Sequence, residues 1–357
     1  MTYTSIRPGK EWLDTSGVPI QAHGAGMIFD GGTWHWYGEN KERTTGKSHI
    51  WTWGIRSYSS KDLYNWDDEG LIIPPETRDK KSSLHPSMPV DRPHIMRNPR
   101  TGGYVCWLKL SGKQGYFVVL ESERLSGPYR IVHDHVKPYG CDAGDFDVWQ
   151  DADGNGFIMS EHDHAGVIAA ELSADLLSVR ESHREMFTGL KPPLTREGIT
   201  HFGHAGKHYL LTSGMTGYIP NPSEVAVAED PLGPYEVIGN PFDGDENGPS
   251  FNSQVSCVVP SPGSNDSFLV MADRWVPGYR VDAKRYQSIY RVVSRYSGNR
   301  ESKPNLHDYL TVAGAPFLGS ANTSIARYVW LPMEFDGDAP RIRWRDEWTP
   351  REFGFIS

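Results

Sequence analysis

The sequence is poor in the features that mark a membrane protein, a disulfide scaffold or a nucleic-acid surface. Its 357 residues hold only three cysteines, Cys106, Cys141 and Cys257, far apart in the chain. An odd, scattered set builds neither a disulfide framework nor a metal knuckle. It suits a reducing compartment, each thiol being expected as a small buried apolar group. No apolar run approaches the ~18 residues of a membrane span, and the opening Met1-Thr2-Tyr3-Thr4-Ser5-Ile6-Arg7 has no apolar signal core. As it stands the chain reads as soluble and cytoplasmic, or as secreted if a leader once preceded it, with no membrane partner. Long basic runs are missing too, and 45 acidic residues against 36 basic ones leave a net charge of −9. A duplex-binding surface needs clustered Lys and Arg, so no nucleic-acid partner is expected. Convincing long helical periodicity is absent, and residues 170–179 read at most as a turn with a short helical piece.

What is abundant is equally informative. Aromatics make up 12% of the chain, with 12 Trp and 17 Tyr, alongside 37 Gly and 26 Pro. Disordered chains are poor in aromatics, so most of this one folds. Turn glycines followed by an alternating aromatic-rich run occur at Gly31-Gly32-Thr33-Trp34-His35-Trp36-Tyr37 and at Gly102-Gly103-Tyr104-Val105-Cys106-Trp107. The signature returns at Gly154-Asn155-Gly156-Phe157-Ile158-Met159, at Gly206-Lys207-His208-Tyr209-Leu210-Leu211 and, more weakly, at Gly263 to Val270. Further turns, such as Ser126-Gly127-Pro128-Tyr129 and Pro231-Leu232-Gly233-Pro234-Tyr235, follow a third strand in most units. Short-strand repeats of roughly 40–50 residues mark a propeller, because each blade needs its neighbours to cover both faces. Five units predict an all-β, five-bladed β-propeller, with residues 1–357 as one catalytic domain. A β-sandwich would explain spaced strands but not five similar units.

In a small propeller the innermost strands point side chains into a narrow channel, so acidic residues distant in sequence can meet there. Candidates of similar phase are Glu39, Asp91, Asp145 and Glu197, with Gln254 in the matching place of the fifth unit.

At these residues the chain resembles glycoside hydrolase family 43, most closely its subfamily of exo-β-1,3-galactanases. The matching segments include Gln21-Ala22-His23-Gly24, Trp36-Tyr37-Gly38-Glu39, Ser59-Ser60-Lys61-Asp62-Leu63 and Arg196-Glu197. Thr212-Ser213-Gly214-Met215-Thr216-Gly217-Tyr218, Phe251-Asn252-Ser253-Gln254, Ala272-Asp273-Arg274-Trp275 and Tyr328-Val329-Trp330-Leu331-Pro332 continue the match in the family's order. The resemblance implies hydrolysis with inversion, Glu197 as general acid, and Asp145 as the carboxylate that positions the sugar and raises the acid's pKa. A neighbouring negative charge has that effect on general grounds. Inverting enzymes set acid and base about 6.5–9.5 Å apart, with a water between. His23, Glu39, Asp91, Thr216, Tyr218, Asp273 and Trp275 are then expected to contact substrate, Tyr218 and Trp275 as platforms for sugar rings.

Two departures stand out. The first blade lacks the Asp that most of the family uses as base, and Gln254 matches the glutamine that the galactanase-like subfamily is thought to use instead. Asp91 stands where that subfamily has Glu. Asp151 to Gly156 resembles the start of a calcium loop, but His162 occupies the position where a Glu is required, so a hairpin turn is expected. His162 and His164 are expected on a loop. Trp34/Trp36, Trp51/Trp53 and Trp344/Trp348 are expected to pack in blade cores. No cofactor is required and no metal ligands are assigned, although the channel carboxylates are hard ligands able to hold calcium or another cation. The expected activity is exo-acting, inverting release of galactose from β-1,3-galactan or related oligosaccharides. A furanosidase on the same fold, or a non-catalytic carbohydrate-binding propeller, are the rivals.

Overall fold

A computed structural model describes residues 2–112, 114–296, 303, 305–316 and 320–356. Its strands fall into five sheets in chain order. The first blade contains β1 (His23–Asp30), β2 (Thr33–Glu39), β3 (Ile55–Ser60) and β4 (Asp67–Ile73). The second contains β5 (Val90–Arg97), β6 (Tyr104–Leu110), β7 (Tyr116–Ser122) and β8 (Arg130–Val136). The third contains β9 (Ala143–Gln150), β10 (Gly156–His162), β11 (Gly166–Leu172) and β12 (Val179–Met186). The fourth contains β13 (Arg196–His204), β14 (Lys207–Gly214), β15 (Ser223–Ala228) and β16 (Glu236–Gly239). The fifth joins the short β17 (Phe242–Asp243) to β18 (Gln254–Pro260), β19 (Phe268–Arg274), β20 (Arg327–Asp336) and β21 (Ala339–Arg343). The first strands touch in a closed ring, β1 to β5, β5 to β9, β9 to β13, β13 to β18 and β18 back to β1. This is a five-bladed β-propeller.

Each repeat anchor lies on the second strand of its blade: Trp34, Tyr104, Phe157, Tyr209 and Phe268. That strand is sandwiched between neighbouring blades, so both its faces are apolar, and β10 and β19 are buried along their whole length. The outer strands face water and read accordingly, as in the mostly exposed Arg130-Ile131-Val132-His133-Asp134-His135-Val136 of β8. Polar outer strands also discourage edge-to-edge pairing with other chains.

The seam between the first and last blades is the most aromatic part of the core. Trp36 packs 4.5 Å from Trp330, with Trp34, Trp66 and Trp348 buried in the same cluster. Ile6 pairs with Trp348 across it. The Trp34/Trp36 pair and Trp348 are core residues as expected, whereas Trp51 and Trp53 are half-buried and Trp344 is exposed.

Two expectations about local structure fail. Helix is present: α1 (Ala283–Tyr296) and α2 (Leu306–Thr311) lie in the connection between β19 and β20. Tyr286, Ile289 and Val292 are buried on α1, in a cluster with Ile219, Val281 and Ala315. The periodicity was in the sequence but covers a single insertion, outvoted by the strands around it. His162 is the last residue of β10 rather than a loop residue, and only His164 sits in the turn that follows. Residues 173–178 form a turn, as the sequence implied, but β11 precedes it as a regular strand.

Candidate active site

Every inner strand is irregular at the channel. Register shifts interrupt the pairing of β1 with β2, β5 with β6, β9 with β10, β13 with β14 and β18 with β19, next to His23, Asp91, Asp145, Glu197 and Gln254 respectively. Such bulges re-aim a side chain and turn a backbone amide out of the ladder. Three of the freed amides bind a carboxylate of the preceding blade. Gly24 N–H donates to Asp273 at 2.9 Å, Arg92 N–H to Glu39 at 2.9 Å and Gly198 N–H to Asp145 at 2.8 Å. All three donors have positive φ, +54°, +50° and +62°, a conformation natural for the two glycines and strained for Arg92.

A pocket of about 270 Å³ opens over these residues, walled by Glu39, Asp91, Arg92, Lys109, Asp145, Glu161, Glu197 and Gln254. Trp51, Met215, Tyr218 and Trp275 form its apolar rim. Asp91, Asp145, Glu197 and Gln254 come from inner strands. Glu39 instead ends β2, reaching the channel over Gly24, where a Cβ would stand 2.2 Å from its Oε1.

Glu197 and Asp145 have opposite electrostatics. Burial pushes the Glu197 carboxyl up to about 8, and the charge of Asp145 adds to the shift. Asp145 is equally enclosed, but Arg92 and Lys109 hold its carboxyl well below the usual range. Arg92 Nε lies 2.8 Å from Asp145, and Lys109 Nζ donates to its other oxygen. At neutral pH one carboxyl is therefore protonated beside one that is ionised. Glu39 is also raised, to about 7, by burial and by Asp91, against the pull of Lys41 at 2.6 Å.

Gln254 is fixed on both sides of its amide. Its Nε2 donates to Glu197 Oε1 at 3.2 Å and to Ser213 Oγ at 3.1 Å, while Trp275 Nε1 donates to its Oε1 at 3.0 Å. It thus touches the acid directly instead of standing across a water from it. Asp91 accepts from Trp51 Nε1 at 2.6 Å and from Ser111 Oγ, with Lys109 Nζ at 3.9 Å.

Three of the expected substrate ligands are engaged within the protein itself. His23 is fully buried, hydrogen-bonded through Nδ1 to Asp273 at 2.8 Å and stacked on Tyr328 at 4.7 Å. It ties the first blade to the fifth through its partner Asp273, also buried. Thr216 donates to the Ile219 carbonyl at 2.6 Å and accepts from Asn221 at 2.7 Å, shaping the loop that presents Tyr218. Tyr218 and Trp275 do reach the rim, their rings 5.5 Å apart. Nothing in the sequence alone marks Lys109, Glu161 and Ser213. Lys109 and Ser213 pair across the ladder with Asp91 and Glu197, and Glu161 faces Asp145 across a register shift. Their signal was the register, which a sequence does not display.

The channel carboxylates already face the side-chain cations of Lys41, Arg92 and Lys109. That set does not suit a calcium ion, whose shell is built from oxygen ligands alone.

Comparison with known proteins gives consistent matches. The family described as "Glycosyl hydrolases family 43" matches residues 34–242. No curated protein sequence matches. Among solved structures, a family 43 β-1,3-galactosidase is 26% identical, with a TM-score of 0.78 over 99% of this chain and 65% of that one. A second β-1,3-galactosidase of the family, solved with galactodeoxynojirimycin, is 25% identical with a TM-score of 0.75 over 96% of this chain and 100% of that one. An exo-β-1,3-galactanase from Clostridium thermocellum is 27% identical, with a TM-score of 0.72 over 96% of this chain and 66% of its own. The chain thus spans about two thirds of the length of the first and third of these proteins.

Proposed function

Because the chain belongs to glycosyl hydrolases family 43, we propose that it is an exo-acting, inverting glycoside hydrolase that releases terminal galactose from β-1,3-linked galactan or its oligosaccharides. The observation that carries this reading is the pairing of a carboxyl raised to about 8, Glu197, with Asp145, whose carboxyl Arg92 and Lys109 contact and hold ionised at neutral pH. A general acid must hold its proton at the working pH and lose it in the transition state, and a pKa near that pH serves both needs. In the proposed mechanism Glu197 protonates the leaving glycosidic oxygen. Asp145 accepts a hydrogen bond from the sugar and stabilises the positive charge that develops on the ring. Gln254, whose amide is oriented by Trp275 and Ser213, orients the attacking water once the sugar has displaced its contact with Glu197. Trp275 and Tyr218 cover the apolar faces of the sugar rings, and Trp51 and Asp91 hold the opposite rim. The galactosidases and galactanase among the similar structures support galactose as the sugar.

The test is to follow β-1,3-galactotriose by proton NMR during hydrolysis. Stepwise release of galactose that first appears as the α-anomer is expected. The β-anomer appearing first would reject inversion, and faster cleavage of nitrophenyl furanosides than galactosides would reassign the sugar. Binding of the triose without turnover would leave a carbohydrate-binding propeller.

A further inference from the structure

Beside the pocket, on the third blade, lies a cluster that the proposed hydrolysis does not use. Cys141, just before β9, His162, at the end of β10, and Asp163, in the turn to β11, each offer one donor atom, and the three atoms lie within 4.8 Å of one another. Among the described residues this is the one such group of His, Cys and acidic side chains. The donors differ in kind: a thiol, an imidazole and a carboxylate.

The cluster is held from several directions. The Asp142 amide donates to Asp163 Oδ1 at 3.0 Å, which aims the other oxygen at His162, whose Nδ1 lies 3.4 Å away. Asp163 and His164 both have positive φ, +53° and +54°, so a tight left-handed turn returns the carboxylate over the end of β10. The His162 ring is buried, yet its Nε2 has no hydrogen-bond partner. A buried imidazole nitrogen left unpaired is costly. The nitrogen turned toward the cluster is Nδ1, 3.4 Å from Asp163, so the ring would ligate through Nδ1 with the proton carried on Nε2. The Asp142 carboxylate is engaged by Lys137 at 2.7 Å and by the Gln114 amide at 3.1 Å, so it does not compete for the same place. Asp163 is exposed, which leaves solvent access for a fourth ligand.

We propose that Cys141, His162 and Asp163 form a binding site for a borderline-soft divalent cation of the zinc type, with water as fourth ligand. Sulfur and nitrogen donors select zinc over calcium or magnesium. Tetrahedral bonds of about 2.0–2.3 Å put ligand atoms roughly 3.3–3.8 Å apart, so atoms within 4.8 Å of one another draw together on binding. On binding, the Cys141 thiol loses its proton to solvent and sulfur, nitrogen and oxygen each donate one electron pair. The two segments that meet at the ion also supply Ala143, Glu161 and His164 to the pocket wall, so occupancy braces the wall next to the acid. The site is separate from the carboxylates of the proposed hydrolysis, and its existence does not depend on that activity.

The test uses Co²⁺ as a spectroscopic substitute for Zn²⁺ on the purified full chain. One equivalent should give a thiolate-to-cobalt charge-transfer band and tetrahedral visible bands, both erased by Zn²⁺. Cys141→Ser should remove the charge-transfer band, and Asp163→Asn should weaken binding at least tenfold. In case Cys141→Ser fails to fold, wild-type protein supplies a second measurement: saturating Zn²⁺ should slow alkylation of Cys141 by iodoacetamide at least tenfold, read by mass spectrometry. No band in the wild type, a band that survives in Cys141→Ser, or unchanged alkylation would each overturn the site.

Discussion

Asp145 reaches Glu197 through the main chain: its Oδ2 accepts the amide of Gly198, the residue next to the acid, at 2.8 Å. The carboxylate that helps keep Glu197 protonated is therefore also the anchor of the bulge that aims it. Charge and position are coupled in a single hydrogen bond, and the two effects separate only through measurements that respond to them differently.

Glu197→Gln keeps the shape of the side chain and removes its proton donor. Hydrolysis of galacto-oligosaccharides should fall by about 10²–10⁴-fold, with the circular dichroism spectrum unchanged. Dinitrophenyl galactoside, whose leaving group needs little protonation, should lose far less. Oligosaccharide activity within a few-fold of wild type would remove Glu197 from the role.

Asp145→Asn removes a negative charge beside Glu197 and leaves Arg92 and Lys109 uncompensated, and both changes lower the acid's pKa. The basic limb of the kcat/KM profile, expected near pH 8 in the wild type, should move to lower pH. Loss of height with an unmoved limb would limit Asp145 to contact with the sugar.

The same raised carboxyl affects stability, with a definite sign. Folded Glu197 binds its proton more tightly than the unfolded chain does, so its contribution is fully present below the unfolded pKa and is lost as pH rises through about 8. Glu197→Gln has no such loss. It should be more stable than the wild type at pH 9, where the folded wild type has given up that proton, with little difference at pH 5. Thermal melts at the two pH values check this. An equal offset at both would show that ionisation is not the cause.

The base can be found by chemical rescue. Azide replaces an activated water in the cavity left by a lost base, so Gln254→Ala should regain activity with azide and Asp91→Ala should not. The reverse pattern would make Asp91 the base. Rescue of neither, with weaker sugar binding in both, would place the base elsewhere.

His23→Ala should act on folding more than on substrate. It leaves Asp273 buried and held by the Gly24 amide, a defect expected to cost about 3 kcal/mol or more. Urea denaturation should show that loss while KM for the triose changes less than threefold. A large rise in KM at undiminished stability would return His23 to the substrate site.

The propeller was legible because its signal is repeated and local. A turn glycine and an aromatic second strand recur at Trp34, Tyr104, Phe157, Tyr209 and Phe268, and the blade geometry requires both. Glu197, Asp145, Asp91 and Gln254 were legible because they share a phase relative to those anchors. Lys109 and Glu161 were not, since they face their partners across a ladder whose bulges shift the register, and bulges leave no mark in composition. His23 and Thr216 show the opposite difficulty. Each belongs to a matching segment, but one was needed to hold two blades together and the other to close a loop. The helix at Ala283–Tyr296 is faint in the sequence because its buried positions occur once, in an insertion, where no repeat reinforces them.

The connection that carries α1 leaves β19 after Arg274 and re-enters β20 at Arg327, and those two residues are paired partners in the sheet. In topological terms residues 275–326 are therefore an enlarged hairpin turn. The excursion begins with Trp275, which holds Gln254, and continues into α1, which packs against Ile219 near Tyr218. The wall beside Tyr218 is therefore carried by a lateral excursion, whereas the acid is carried by the ring itself, so changes along α1 reach the sugar-facing rim without passing through the strand that aims Glu197.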